Sequence, residues 1–235
     1  MAENKKKTLK QVGTMFLVIL FAIGALIATF ALKNNGDNAE PTEPSTNIEH
    51  PTEPQIKDGP VYLADGDTVN SKIKADTTSV KFTNTSVPDG VETIDFSRDQ
   101  DETVLGYYDG TDLTITSYNG DIIMAHEYCS NMFLDKSNIV SIDFTNVDTS
   151  NTLSVGQMFH SCHSLSELNI STWNTEKVVD MTNLFASCKS LTEIDVSHFN
   201  TANVQSMQGM FAGCEKVKSL DLSNFDTSKV CDMHI

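Results

Sequence analysis

Cysteine is absent before Cys129, which excludes lipid attachment through a cysteine at the end of a signal sequence. Basic residues are scarce. There are 16 lysines and arginines against 32 aspartates and glutamates, a formal net charge of −16. The first 32 residues hold Lys5, Lys6, Lys7, Lys10 and Glu3, so they carry +3 and the remainder −19. Such an acidic body repels phosphate, which argues against a nucleic-acid partner. The same charge favours solubility and repulsion from anionic membrane surfaces. The chain also lacks H-E-x-x-H, C-x-x-C, a phosphate-binding P-loop and G-x-S-x-G, so no metalloprotease, thiol-redox, nucleotide or serine-hydrolase chemistry is signalled.

Charge is missing in a second way. Val12 to Leu32 is an uncharged run of 21 residues, long enough to span a bilayer as a helix. It follows a basic tail, residues 1–11. A signal peptide has a shorter apolar stretch of roughly 7–15 residues and a small-x-small cleavage site. Here the stretch is longer, and Thr29-Phe30-Ala31 fits such a site poorly. The reading is therefore an uncleaved N-terminal anchor, with a secreted protein as the alternative. Lysines on its N-terminal side place that end in the cytoplasm and the C-terminal part outside the cell. A buried core helix would carry a polar face, which this run does not. Residues 33–60 are rich in Pro, Glu, Asn and Thr, with Pro-Thr-Glu-Pro at 41–44 and 51–54. Too little apolar surface is present to order them, so they read as a spacer. Neither a Leu-Pro-x-Thr-Gly signal nor a second hydrophobic tail occurs, which leaves the N-terminal anchor as the visible one.

From residue 128 to 235 one pattern is written four times with a period of 26 residues. Phe133, Phe159, Phe185 and Phe211 open the copies. Ile139, Leu165, Leu191 and Val217 follow six residues later. Then come Ile142-Asp143-Phe144-Thr145, Leu168-Asn169-Ile170-Ser171, Ile194-Asp195-Val196-Ser197 and Leu220-Asp221-Leu222-Ser223. Val147, Trp173, Phe199 and Phe225 fill the next slot, followed by Asp148-Thr149, Asn174-Thr175, Asn200-Thr201 and Asp226-Thr227. No insertion breaks the register. A fixed period in this range signals stacked structural repeats.

Within a copy, L-x-x-L-x-L ends in apolar–polar alternation, the pattern of a strand with one buried face. Thr175, Thr201 and Thr227 are placed to cap a following helix through their hydroxyls. Val178, Met181, Phe185 and Cys188 then fall at helical spacing, and Val204, Met207, Phe211 and Cys214 repeat the set. Each copy is thus expected to form a short strand, a turn and one helix. A unit this small cannot bury its apolar faces alone, so the copies stack. In the first copy Lys136 replaces the cysteine, and Thr152 and Val155 replace the valine and methionine, so its helix is expected to be the least regular.

These residues resemble the leucine-rich repeat. The fuller string, from Met210-Phe211 and Cys214 through Val217, Leu220-Asp221-Leu222-Ser223, Phe225-Asp226-Thr227, Val230 and Met233, resembles the repeat of BspA-like bacterial surface proteins. The resemblance implies an α/β right-handed solenoid with one short parallel strand and one helix per repeat. It also implies a cell-surface role in adhesion or protein–protein contact, with an extracellular or host-surface protein as partner. A spacer or structural component of the cell envelope is the alternative.

Residues 61–127 are globular in composition but not repetitive. Asp67–Ala75 reads as a short helix with Val69 and Ile73 inward, Ser79–Thr83 as a strand, and Thr103–Tyr108 with Leu113–Tyr118 as a hairpin around Asp109-Gly110. Ile94-Asp95-Phe96-Ser97 echoes the repeat strand. Stacked repeats need a terminal unit over the first apolar face, and this α+β segment stands where that cap belongs. Its order of elements also resembles the lead-in of the same surface proteins.

Candidate functional residues follow from the strand period. Side chains between the buried ones point outward: Glu167, Asn169 and Ser171; Glu193, Asp195 and Ser197; Ser219, Asp221 and Ser223. They form an acidic strip of short side chains, on the face where solenoids commonly meet partners. The column Asp143, Asn169, Asp195 and Asp221 supplies too few oxygens for calcium, which takes six to eight from a wrapping loop. His160, Ser161 and His163 are adjacent, but the next copy aligns Ala186, Ser187 and Lys189 with them, so they read as surface substitutions. The chain therefore reads as a non-enzyme without cofactor or metal.

Five cysteines in an exported protein invite a disulfide reading. Cys162, Cys188 and Cys214 share one slot. On stacked helices they would stand ~10 Å apart, beyond the ~7 Å a disulfide spans. They are expected to be free thiols that fill small apolar gaps.

Overall fold

The computed structural model describes residues 59–232. The expected anchor Val12–Leu32, the basic tail and nearly all of the spacer lie outside the described residues. No helix among the described residues is long and apolar enough to cross a membrane.

The elements run β1 (Val61–Tyr62), α1 (Gly66–Lys72), β2 (Ser79–Thr83), β3 (Ile94–Asp95), β4 (Val104–Asp109), β5 (Asp112–Ser117), β6 (Ile123–Met124), β7 (Ser141–Asp143), β8 (Val147–Asp148) and β9 (Glu167–Asn169). The helix α1 begins at Asp65, whose carboxylate accepts the Thr68 N–H at 3.1 Å and its hydroxyl at 2.7 Å, an N-cap that satisfies one free donor. β4 and β5 form the hairpin, joined through Gly110-Thr111, one residue later than the sequence suggests.

A six-stranded sheet has the order β3-β4-β5-β2-β7-β9, and a three-stranded one the order β1-β6-β8. β2 lies parallel to β7, pairing Val80 with Ile142, so the non-repetitive segment hydrogen-bonds directly to the first copy. Polar side chains reinforce that seam: Lys136 Nζ donates to the Ile73 carbonyl, Asn138 to Ala75 and Asn146 to Thr83. At Gly66 any Cβ would collide with the Ser130 carbonyl. The start of α1 is pressed against the backbone of the first copy.

The copies stack in register. Isolated parallel bridges link Tyr128 to Ser154, Ser154 to Asp180, Asp180 to Ser206, and Ser206 to Asp232. Phe133, Phe159, Phe185 and Phe211 form a column of nearly parallel rings, with centroids 5.8, 5.7 and 5.7 Å apart. Trp173 stacks on Phe199 at 6.1 Å and meets Phe144 edge-on at 5.2 Å. Each such ring removed from water is worth about 1.5–3 kcal/mol, and the pairing adds about 0.5–1.5 kcal/mol.

The expected helix in each copy is absent, and α1 is the single α-helix among the described residues. Its place is taken by a chain of turns with a different hydrogen-bond economy. The N–H groups of Val155, Gln157, Phe159 and Ser161 donate to the carbonyls of Asp180, Thr182, Leu184 and Ala186 in the next copy. Those of Met158, His160 and Cys162 donate three residues back. An α-helix would send every N–H four residues back within the same copy. The backbone turns left-handed twice per copy, at Asn131 and Asp135, Gln157 and Ser161, Asn183 and Ser187, and Gly209 and Gly213, with φ between 53° and 70°. Left-handed residues cannot continue a right-handed helix. Glycine occupies both positions in the last copy because it takes this φ without strain. Apolar residues at helical spacing are thus buried by the stack itself rather than by one face of a helix.

The threonines do not cap helices either. Thr175 is buried. Its hydroxyl donates to the Asn200 carbonyl at 3.0 Å and accepts the Asn200 N–H at 2.8 Å. Thr149 holds Asn174 and Thr201 holds Asp226 in the same way. The column is a ladder between copies.

The cysteines are free, as expected, but for another reason than helix spacing. The column shares the short spacing of the stack. Each thiol is tied to a main-chain acceptor instead: Cys162 to the Phe133 carbonyl, Cys188 to Phe159 and Cys214 to Phe185, each at 3.1 Å.

Candidate functional site

The sheet ladder that carries the outward-pointing residues ends at β9. β7 and β9 pair from Ser141–Glu167 to Asp143–Asn169. Residues 193–197 and 219–223 form no strand. The back of the stack stays bonded through all the copies, so the front opens while the rear holds.

The side-chain bonds of the aspartate and asparagine column change at the same point. Asp143 Oδ1 accepts the Thr145 N–H at 3.0 Å and its hydroxyl at 2.6 Å, closing the turn after β7. Asn169 does the same for Ser171 with its oxygen. Its amide nitrogen donates to Asp143 at 2.8 Å and to the Thr145 hydroxyl at 3.1 Å. An amide can thus bridge to the copy before it. Asp195 is acceptor-only when ionised, and both donors of Asn169 already point the other way. No side-chain rung joins them, and from Asp195 to Asp221 two carboxylates follow one another.

Every one of the nine candidate residues is exposed except Asn169, which is half-buried. Glu167 and Asn169 sit on β9, and Ser171 follows in the turn. Asp195 Oδ1 accepts the Ser197 hydroxyl at 2.7 Å and its N–H at 3.0 Å. Those bonds hold its carboxyl below the usual carboxylate range. Asp221 is held low by Ser223 in the same manner. Both therefore stay ionised at neutral pH. Ser171, Ser197 and Ser223 serve to close the turns, a role their exposure in the strand pattern does not reveal.

Four of the nine residues converge. Asn169, Ser171, Glu193 and Asp195, with Leu168, Ile170, Ile194 and His198, line a cleft of about 200 Å³ between β9 and the third copy. Glu167, Ser197 and the residues of the last copy do not line it. His198 was missed from sequence. Its Nε2 lies 2.9 Å from the Ile170 carbonyl, and its ring meets Phe199 edge-on. The signal was the polar column Thr172, His198 and Asn224, each of which reaches a carbonyl of the preceding copy. His160 and His163 stay outside the cleft, one half-buried and the other exposed. Among the described residues no three His, Cys, Asp or Glu side chains converge to hold a metal ion.

The buried thiols offer little nucleophilic reactivity. Burial pushes Cys129 and Cys162 up to about 12 and Cys188 higher still. A thiol held neutral is a poor nucleophile and metal ligand.

The fold and its exposed face thus define a protein built of stacked 26-residue copies, joined to a mixed α+β segment at one end. A family described as "Mycoplasma protein of unknown function, DUF285" matches residues 127–235, the range of the copies. No curated protein and no solved structure matches the chain.

Proposed function

We propose that the chain is a bacterial cell-surface repeat protein of the BspA-like, leucine-rich type, whose exposed acidic face binds other proteins. Val12–Leu32 holds it in the membrane as a single-pass anchor, with residues 33–60 as the spacer, 61–127 as the cap and the repeats outside the cell. The reading has no catalytic step, cofactor or nucleic acid in it. The stack is a solenoid in the sense that each copy contacts its neighbours and adds a strip to a common face. The observation that carries the binding role is the exposed column of Glu167, Glu193, Asp195 and Asp221. Among the described residues no ion pair neutralises these side chains. The partner is a basic region of an extracellular or host-surface protein. Adhesion is what the resemblance to those surface proteins implies.

The hydrogen bonding of the same face supports a second reading. Asp143, Asn169, Asp195 and Asp221 all close turns within their own copies, which suits an envelope spacer that binds nothing specific. Capture of extracellular proteins by the full chain separates the two. Binding that weakens with salt and is lost in the variant Glu167→Gln, Glu193→Gln, Asp195→Asn and Asp221→Asn supports the binding role. Capture unaffected by both changes refutes it.

A further inference from the structure

We propose that the cleft between β9 and the third copy is a slot for a single arginine side chain of the partner. The inference rests on the acidic-face reading and assigns it one anchoring point.

The size of the cleft sets the class of occupant. About 200 Å³ is on the scale of one large amino-acid side chain, below the ~300–1,000 Å³ of pockets for free small molecules. A whole added strand is excluded by the stack. Trp173 and Phe199, just beyond the cleft, are 6.1 Å apart, whereas an inserted strand would hold its neighbours ~9.6 Å apart, twice the normal spacing. What enters must come end-on from solvent.

The lining sets the chemistry. Leu168, Ile170 and Ile194 give the cleft apolar lining, and Asn169, Glu193 and Asp195 give it oxygen. Glu193 and Asp195 are two residues apart in an extended segment and project to the same side. Asp195 spends one oxygen on Ser197, leaving Oδ2 with no hydrogen bond among the described residues. Glu193 has no ion-pair partner among them. His198, the nearest basic ring, is engaged at Nε2 by the Ile170 carbonyl. Apolar groups beside two carboxylates that have no ion-pair partner among the described residues match a side chain with a methylene stem and a cationic head. Arginine fits better than lysine, because its planar fork offers five donors to two carboxylates while an ammonium is a point charge.

Between β7 and β9 the ladder is closed and the Asn169–Asp143 bond spans the rim. At the next junction Asp195 makes no such bond to Asn169, and it provides part of the charge that reads the ligand.

The test is a titration of the isotope-labelled full chain in detergent with N-acetyl-arginine methylamide, followed by methyl resonances of Leu168, Ile170 and Ile194. Norleucine, citrulline and lysine analogues run beside it. The expected result is a saturable shift of those methyls by the arginine probe and a smaller one by lysine. Norleucine and citrulline leave them unmoved. Affinity should fall about fivefold in each of Glu193→Gln and Asp195→Asn, the effect of one exposed charge pair. Both variants keep the turn at Ser197, since an amide oxygen still accepts its hydrogen bonds, so folding is not at stake. Equal shifts with norleucine, or arginine shifts confined to residues outside the cleft, overturn the slot. If the chain captures a basic protein through the strip while these methyls stay still, the slot fails and the acidic-face reading stands. If no basic partner is captured at all, that reading fails, whatever the methyls do.

Discussion

Replacing Thr175 with valine tests the threonine ladder. Thr175 is 2% exposed, and its hydroxyl serves both the carbonyl and the N–H of Asn200 in the next copy. Valine has the same shape and no hydroxyl. Two hydrogen bonds are lost, each worth about 1 kcal/mol net. Asn200 is itself exposed, so water can partly replace them, and the expected loss is about 2 kcal/mol in all. For a folded part of this size that lowers Tm by about 4–8 °C. Thr175→Ser keeps the hydroxyl and gives up one methyl, worth about 0.8 kcal/mol, so it should lie between wild type and Thr175→Val. Thr227 provides the control. It is exposed and its hydroxyl makes no hydrogen bond among the described residues, so Thr227→Val should stay within about 0.5 kcal/mol of wild type. Urea denaturation at neutral pH reads all three. A Thr175→Val protein as stable as wild type, or a Thr227→Val protein that falls as far, would falsify the ladder as a source of stability.

The buried thiols make the fold sensitive to alkali. Their folded values are raised by burial to about 12 for Cys129 and Cys162, against about 8.5 in an unfolded chain. The folded state keeps protons that the unfolded state releases, so stability is full below pH ~8.5 and falls as pH rises towards ~12. Each thiol contributes a slope of about 1.4 kcal/mol per pH unit in that window. Urea midpoints at pH 8 and 10.5 measure it, and a Cys162→Ala variant with an unchanged pH slope would sink the assignment. Under native conditions exposed Cys231 should label first while Cys162 and Cys188 resist until unfolding. Equal labelling rates would contradict the burial. Retention by Val12–Leu32 predicts that the mature protein resists carbonate extraction and keeps its original N-terminus. A new N-terminus near Leu32 would make it secreted.

The period of 26 residues was legible from sequence because stacking demands it. Equivalent residues must meet at a constant spacing, so Phe133, Phe159, Phe185 and Phe211 recur without insertion. The strand Ser79–Thr83 was equally plain, since alternation reports a half-buried strand directly. Outward exposure of the Glu, Asp and Ser positions followed from the same alternation. The helix did not follow. Residues such as Val178, Met181 and Phe185 recur at spacings that a helix would bury on one face, but a stack buries them just as well. The deciding information was where the main-chain N–H groups go, and that depends on a neighbouring copy being close enough to accept them. The left-handed turns are not plain from residue type either: Asn131, Asn183, Gly209 and Gly213 favour that conformation, but Gln157 holds it in the same slot with no such preference. The cleft was decided by tertiary structure alone. Asn169 and Asp195 look interchangeable in the repeat, yet one can donate across the stack and the other cannot.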